Sequence, residues 1–294
     1  MIKVEIDANS GFCGGVIRAI GTAEKYLAEH SCLYSLGAIV HNEEELSRLQ
    51  SLGLHTISDV DEVPSPTEGR ALLIRAHGEP PHVYDRVGAK GFDLLDCTCP
   101  VVLKLQKAIR EAHARLVAKG GRLVLFGKIG HPEVLGLVGQ VDGDVSVVQN
   151  LPQLQELIDS GALRTDRDIE LFSQTTMSPV EYEQVREYLQ SMMKDAELVA
   201  HNTICSQVAG RHRELVVFAR SHDVVVFVSG KESSNGKVLY DLCKRENPHS
   251  YMVGSASDLD AAWFVSAESA GVCGATSTPK WLLENVAEAI ENLQ

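Results

Sequence analysis

Short apolar runs alternate with amphipathic segments along the whole chain. The apolar runs are rich in valine, leucine and isoleucine, and the segments between them repeat their apolar positions at helical spacing. The clearest runs are LYSLGAIV, ALLIRA, RLVLFG, DVVVFVSG and SYMV, and the clearest helical segment extends from Val101 to Leu116. This alternation predicts an α/β fold built from βαβ units with mainly parallel, buried strands.

Three single cysteines stand at similar places, each between a strand-like run and a helical segment. Cys99 precedes Pro100, and because proline is favoured in the first turn of a helix, Cys99 is predicted near an N-cap. Cys13 and Cys205 lead in the same way into VIRAIGTAEKYLAEH and SQVAGRHRELVVFA. A thiol at such a place ionises easily, because the helix dipole and free N–H groups favour negative charge.

The three cysteines lie roughly a third of the chain apart, within the usual size of a small domain. The chain could form one domain or two to three packed units. If it holds three similar α/β/α units with mainly parallel sheets around a pseudo-threefold axis, the three cysteines could meet at its centre. The predicted spans are residues 1–98 with the N-terminal cysteine, residues 99–204, and residues 205–294 with the C-terminal helix.

Polar side chains follow most of the strand-like runs. In open α/β sheets, ligands bind beyond the carboxyl ends of the strands, so these positions are candidates for a site. Histidine, serine, threonine and asparagine donate hydrogen bonds to phosphate oxygens, and turns before helices also present N–H groups to anions. A pocket for a small phosphorylated ligand is therefore predicted from His41, His77, His131, Thr175, Ser233, Ser234, Asn235 and Ser277.

Glu133 is a carboxylate two residues after a histidine, in a predicted short turn. A carboxyl group that is desolvated beside an anion keeps its proton near neutral pH and can deliver it. Glu133 is therefore a candidate proton donor, and the competing interpretation is a surface glutamate at a turn.

Composition and charge narrow the class of protein. The net charge of −13 over 294 residues provides no basic surface for nucleic acid, and no apolar run is long enough to cross a membrane. Because the first residues lack the pattern of a signal peptide, we expect a cytoplasmic protein. Seven cysteines, an odd number, then favour metal ligation, catalysis or core packing over a disulfide framework.

Ordered motifs over nearly the whole chain resemble the LytB family, the 4-hydroxy-3-methylbut-2-enyl diphosphate reductases of the methylerythritol phosphate route to isoprenoids. The motifs are Gly11-Phe12-Cys13-x-Gly15-Val16-x-Arg18-Ala19, Val40-His41-Asn42, Ala76-His77-Gly78, Asp96-x-Thr98-Cys99-Pro100, Gly130-His131-Pro132-Glu133-Val134, Gln174-Thr175-Thr176-x-Ser178, Thr203-Ile204-Cys205, Ser233-Ser234-Asn235, Gly271-Val272 and Ser277-x-Pro279.

The resemblance implies a 4Fe-4S cluster, held by Cys13, Cys99 and Cys205 at the centre of the three units. It implies reductive dehydroxylation of 4-hydroxy-3-methylbut-2-enyl diphosphate to isopentenyl and dimethylallyl diphosphate, with two electrons and two protons per turnover. The electron donor would be a protein such as ferredoxin or flavodoxin.

The resemblance also implies a role for each site residue. Glu133 would supply the proton that releases water, Thr175 would orient the hydroxyl group or relay that proton, and His131 would serve both catalysis and binding. The diphosphate would be held by His41, His77, His131, Ser233, Ser234, Asn235 and Ser277. Two departures from the family pattern are Cys97, where alanine is usual, and Ser206-Gln207-Val208 after Cys205.

Two other interpretations of the cysteines stay open at this stage. One is a zinc site of three cysteines and a histidine in a phosphate-binding α/β protein without redox chemistry. The other is a thiol redox enzyme that uses Cys97 and Cys99 as a pair.

Overall fold

The computed structural model describes residues 2–63 and 70–293. Every strand pairing recorded among these residues is parallel, and helices alternate with strands along the chain. The strands are β1 (Lys3–Ile6), β2 (Leu33–Leu36), β3 (Leu54–Ile57), β4 (Ala71–Ile74), β5 (Asp93–Asp96), β6 (Arg122–Phe126), β7 (Ser146–Val148), β8 (Ile169–Ser173), β9 (Leu198–Ala200), β10 (Val224–Val228), β11 (Ser250–Val253) and β12 (Ser269–Gly274).

The described residues form ten α-helices, of which the first nine lie between strands and α10 follows the last strand. They are α1 (Gly14–Leu27), α2 (Glu43–Ser51), α3 (Pro81–Lys90), α4 (Pro100–Lys119), α5 (Pro132–Val138), α6 (Leu151–Asp159), α7 (Pro179–Met192), α8 (Ser206–Arg220), α9 (Ser234–Glu246) and α10 (Lys280–Glu291). No helix among the described residues combines the length and the apolar character that a membrane span requires.

The strands form three four-stranded sheets with one common strand order. Sheet I is β1-β12-β10-β11, sheet II is β3-β2-β4-β5 and sheet III is β7-β6-β8-β9. In sheets II and III the order along the sheet is second, first, third and fourth strand. Sheet I has the same order when β1, from the start of the chain, is counted as its fourth strand. The α/β class and the three parallel sheets predicted from the sequence are thus confirmed.

Sheet I shows why these sequences form buried strands. β10 reads VVVFV, and all five residues are buried because helices cover both faces of the sheet. Leu283 and Val286 of α10 pack on one face, and Leu215 of α8 and Leu239 of α9 pack on the other. Sheet III is covered in the same way on one face by Ile109 and other residues of α4.

Most predicted elements occur with small shifts at their ends. The long helix is α4, which begins at Pro100 and ends before Gly120, whose φ of 68° suits glycine at a helix end. The run LYSLGAIV is a strand only to Leu36, because Gly37 has a φ of 71° and turns the chain away from the sheet.

Three elements were predicted wrongly or missed, and the first of them is the strand β3, which directly follows α2. Glu133 lies in the first turn of α5, not in a short turn, and the three-residue strand β9 was not predicted. Gly136 obscures the helical pattern of α5. A Cβ at this position would lie 3.3 Å from the carbonyl oxygen of Gly78, a tight contact that favours glycine.

The chain divides into two compact units. One is Met1–Glu62 with Ser206–Gln294, and the other is Val63–Cys205. Cys13, Ser233, Asn235 and Ser277 belong to the first unit. The division at residues 98/99 and 204/205 and the pseudo-threefold arrangement stay predictions.

Candidate active site

The same two loops recur at the carboxyl ends of the strands. His41, His131 and Ser233 are each the fifth residue after the first strand of their sheet, which ends at Leu36, Phe126 and Val228. After the third strand, each sheet has a four-residue turn closed by a backbone hydrogen bond. These bonds run from Gly78 N to Arg75 O at 3.1 Å, from Met177 N to Gln174 O at 3.3 Å and from Thr278 N to Ala275 O at 3.0 Å.

In each sheet the first and third strands are neighbours. The second strand lies outside the first, and the fourth lies outside the third, so the direction in which strands are added reverses between the first and third strands. Ligands of open α/β sheets bind beyond the strand ends at such a reversal. The two recurring loops begin there, so their side chains are at the positions where a ligand is expected.

The three cysteines are attached to these turns in equivalent ways. The backbone N–H of each cysteine donates to the carbonyl of the second residue after the third strand. Cys13 donates to Thr276 at 3.0 Å, Cys99 to Ala76 at 3.0 Å and Cys205 to Thr175 at 2.9 Å. The local structure thus repeats three times along the chain, as the spacing of the cysteines suggested.

In sheet III the turn after β8 meets the start of α5. The Glu133 carboxyl group accepts two hydrogen bonds from Thr175, one from the backbone N–H to Oε1 and one from the hydroxyl to Oε2, both at 2.7 Å. Glu133 is 1% exposed and Thr175 is 6% exposed. The two residues predicted to move a proton are therefore in direct contact.

Burial changes the acidity of Glu133. Loss of hydration raises its pKa to about 7, against the opposing effect of the two hydrogen bonds from Thr175. A carboxyl group with this pKa holds a proton in about half of the molecules at neutral pH. The side chain is therefore suited to deliver a proton under physiological conditions.

His131 is the N-cap of α5, and this role sets its tautomer. Its Nδ1 accepts the backbone N–H of Glu133 at 3.1 Å. In the neutral ring the hydrogen is therefore on Nε2, which can donate to an oxygen. The ring of His77 meets that of His131 edge to face, with 5.2 Å between the centroids, so two predicted phosphate-binding residues lie together.

In sheet I the corresponding residues are hydroxyls and an amide. Ser233 is the N-cap of α9, accepts the N–H of Gly236 at 3.0 Å and lies 3.1 Å from the Ser277 hydroxyl. Asn235 donates through Nδ2 to the Thr276 hydroxyl at 2.9 Å, and its buried Oδ1 has no hydrogen-bond partner among the described residues. Ser234 is the first residue of α9 and is half-buried.

The Asn235 amide can satisfy the same contacts in the opposite orientation. If the amide is rotated by 180°, Oδ1 accepts from the Thr276 hydroxyl and the NH₂ group takes the unpartnered position. That position then offers donors, which is the chemistry that a phosphate oxygen requires.

His41 stands directly before the N-cap of α2. That cap is Asn42, whose Oδ1 accepts the N–H of Glu45 at 3.0 Å. Gly230, in the loop that leads to Ser233, lies against the His41 backbone, since a Cβ there would be 2.4 Å from the His41 carbonyl oxygen. The His41 and Ser233 loops therefore belong to one packed region.

The cysteines fit the donor chemistry of an iron–sulfur cluster. Cys13 and Cys99 are N-caps of α1 and α4, but neither side chain makes a capping hydrogen bond. Cys205 directly precedes α8, and all three are half-buried and not in disulfides. Cys97, by contrast, is 1% exposed, which weighs against the dithiol interpretation because thiol exchange needs access.

One residue that shapes the site was not predicted from the sequence as a site residue. Thr276 contacts Asn235 in sheet I as Thr175 contacts Glu133 in sheet III. Both threonines are the second residue after the third strand of their sheet. This equivalence could have identified Thr276, but only once the ends of the strands are known.

The fold and these strand-end loops define an α/β protein with three parallel sheets and a buried carboxyl group, Glu133, whose pKa is raised. The profile of the LytB protein family matches residues 4–291. The 4-hydroxy-3-methylbut-2-enyl diphosphate reductase of Bacteroides fragilis is 45% identical over 99% of this chain and 98% of its own length. The enzyme of the same name from Bacteroides thetaiotaomicron is 44% identical over 100% and 99%. The chain therefore belongs to the LytB family, as the motifs suggested.

Two solved structures are similar to this one. A structure of (E)-4-hydroxy-3-methyl-but-2-enyl diphosphate reductase, described as the terminal enzyme of the non-mevalonate pathway, has a TM-score of 0.67, 32% identity and coverage of 99% of this chain and 100% of that chain. The E-1-hydroxy-2-methyl-but-2-enyl-4-diphosphate reductase of Plasmodium falciparum has a TM-score of 0.86 at 24% identity, with coverage of 98% and 87%. At that identity, the second similarity concerns the fold alone.

Proposed function

We propose that this protein is an oxidoreductase that converts 4-hydroxy-3-methylbut-2-enyl diphosphate into isopentenyl and dimethylallyl diphosphate. Two electrons and two protons enter, the allylic C–O bond breaks, one proton leaves with the hydroxyl as water and the other is added to carbon. The observation that carries this proposal is the buried Glu133–Thr175 pair in a chain of the LytB family.

The proton for the leaving hydroxyl starts on Glu133. The Thr175 hydroxyl, 2.7 Å from Oε2, can accept that proton while it donates its own to the substrate oxygen. His131 holds the same oxygen or a neighbouring phosphate through Nε2–H. Since the carboxyl group is almost fully buried, water competes little for the proton.

The diphosphate is bound by hydrogen-bond donors at the strand ends. His41, His77 and His131 offer ring N–H groups, and the Ser233, Ser234 and Ser277 hydroxyls and the Asn235 amide complete the set. Hydrogen bonds from such donors to charged phosphate oxygens are stronger than those between neutral groups.

Cys13, Cys99 and Cys205 would hold a 4Fe-4S cluster. Such a cluster would supply the two electrons and a Lewis acid for the substrate oxygen. Its electrons would come from a ferredoxin or flavodoxin, and the expected location is the cytoplasm.

Metal analysis and electron paramagnetic resonance on anaerobically purified protein test this proposal. We expect a brown protein with iron and sulfide, and consumption of the allylic diphosphate with a chemical electron donor. A colourless protein that contains zinc and is inert to the substrate would contradict it. Full activity of Cys13→Ser together with loss in Cys97→Ser would instead support the dithiol interpretation.

A further inference from the structure

A buried network of polar side chains lies beside the loop that leads to Cys13. Arg211 on α8 places Nη2 2.5 Å from Asp7 Oδ2 and 2.8 Å from Ser10 Oγ. Ser10 Oγ donates to Asp7 Oδ2 at 2.8 Å and accepts the N–H of Gly274, the last residue of β12, at 2.8 Å. Asp7, Ser10 and Arg211 are all at least nine-tenths buried.

The Ser10 hydroxyl uses its full hydrogen-bonding capacity in this network. A hydroxyl has one hydrogen to donate and two lone pairs that accept, and all three are engaged here. Its partners come from the end of β1, the end of β12 and the helix α8. The position of Ser10 is thus set from three directions.

The network and a second contact attach the segment from Ser10 to Cys13 at both ends. Ser10 Oγ is bonded to the N–H of Gly274, and the Cys13 N–H donates to the carbonyl of Thr276. This segment therefore runs beside the turn that carries Ser277. Arg211 also belongs to the helix that begins directly after Cys205.

Stability of the fold does not account for this arrangement. A buried ion pair loses hydration on both partners, and well-packed apolar side chains often replace such pairs without loss of stability. In addition, Nη1 of Arg211 has no hydrogen-bond acceptor among the described residues. The network instead holds the loop that contains Ser10 at one position relative to the end of β12 and to α8.

We infer that Asp7, Ser10 and Arg211 are positioning residues that hold the Cys13 thiol at one place beside the Thr276–Ser277 turn. The inference rests on the proposed function, in which the network would keep a cluster ligand, Cys13, at a fixed position relative to a diphosphate-binding residue, Ser277. None of the three residues contacts substrate in this assignment.

The first test measures alkylation of Cys13 in the apoprotein by peptide mass spectrometry. Ser10→Ala and Arg211→Lys should raise the rate roughly tenfold, because local opening of the loop exposes the thiol, while Cys32 in the same unit reacts as before. Lysine keeps the charge but lacks the planar fork that bonds Asp7 and Ser10 together. Arg213→Lys, at an exposed position of the same helix, is the matched control and should behave like the unaltered protein.

The second test measures iron release to a chelator from anaerobically reconstituted protein. Loss of groups that orient metal ligands costs about tenfold or more in metal retention, so both variants should release iron faster by that factor, with a higher KM and altered paramagnetic resonance g-values. A purely structural role would lower the melting temperature and leave the iron release and g-values of the folded protein unchanged.

The outcomes separate this inference from the proposed function. If the unaltered protein binds no iron, the proposed function fails, and Cys13 alkylation still decides the inference. If the unaltered protein is active, but Cys13 alkylation and iron release in both variants proceed at its rates, the inference fails and the proposed function stands. Unfolding of Ser10→Ala would also overturn it, since the role of the network would then be structural.

Discussion

Sheets I and III use the same backbone positions for different chemistry. Glu133 is the seventh residue after Phe126 at the end of β6, and Asn235 is the seventh after Val228 at the end of β10. Each contacts the hydroxyl of a threonine, Thr175 at 2.7 Å and Thr276 at 2.9 Å. In sheet III the pair contains an acid, and in sheet I it contains an amide.

Under the proposed function, this one loop geometry serves two tasks. Burial raises the pKa of Glu133 to about 7, so this position can give up a proton. An amide has no proton to give, but it stays neutral when buried and can donate hydrogen bonds to an anion. Under the proposed function, the repeated loop fixes the position of the side chain, and the identity of that side chain decides between proton transfer and anion binding.

Glu133→Gln is the sharpest test of this comparison and should have the largest effect. The amide keeps the shape but removes the proton, so we expect kcat to fall by about a thousandfold while cluster content and substrate affinity persist. Single-turnover kinetics and iron analysis measure the two properties, with the exposed Glu156→Gln as a control. Near-normal turnover would remove Glu133 from the proton path.

Asn235→Asp makes the reciprocal change in sheet I. A carboxylate beside the bound diphosphate places like charges together, so we expect KM to rise about a hundredfold, with a smaller change in kcat. Steady-state kinetics at several pH values measure this. An unchanged KM would show that Asn235 does not face the diphosphate.

Thr175→Val removes the hydroxyl and keeps the shape. The side-chain hydrogen bond of Thr175 lowers the Glu133 pKa, so its loss raises that pKa above about 7. With Glu133 as the proposed acid, activity should fall as pH rises through its pKa, and this limb of the kcat profile should move to higher pH. We also expect kcat to fall about tenfold from loss of the relay.

Thr176→Val is the matched control for this variant. The Thr176 hydroxyl accepts from Gln174 Nε2 at 2.8 Å and is not bonded to Glu133. Its pH profile should therefore match that of the unaltered protein. A limb that stays in place in Thr175→Val would refute the hydrogen-bond effect on Glu133.

Ser233→Ala should have the smallest effect. It removes one donor among several, so we expect KM to rise about fivefold with kcat unchanged. The α9 N-cap is lost as well, and the free energy of unfolding should fall by about 1 kcal/mol, which urea denaturation measures. A fall in kcat with constant KM would place Ser233 in the chemical step instead.

Much of the fold could be predicted from the sequence because its strands are buried on both faces. Runs such as the VVVFV of β10 have one interpretation, and Pro100 marks the start of α4. β9 could not be predicted, since three residues at a partly exposed sheet edge carry no periodic signal. α5 was missed because Gly136, which packs closely against the backbone of Gly78, interrupts its apolar face.

For the site, residue types and order were sufficient to name candidates, and tertiary contacts were needed to assign properties. His131, Glu133 and Thr175 were chosen because each follows a strand. The direct bond between Glu133 and Thr175 joins residues 42 positions apart, so no local pattern contains it. Asp7, Ser10 and Arg211 had no signal in the sequence, since Arg211 is 201 positions from Ser10.

The sequence by itself determined the α/β class, the three cysteine-led helices and the family, because these depend on local periodicity and on the order of motifs. Only the tertiary structure decided the common strand order, the place of β1 as the fourth strand of sheet I, and the proton affinity of Glu133. The physical reason is that strand pairing and desolvation depend on which distant segments come together. A carboxyl group has its ordinary pKa until the fold removes its water.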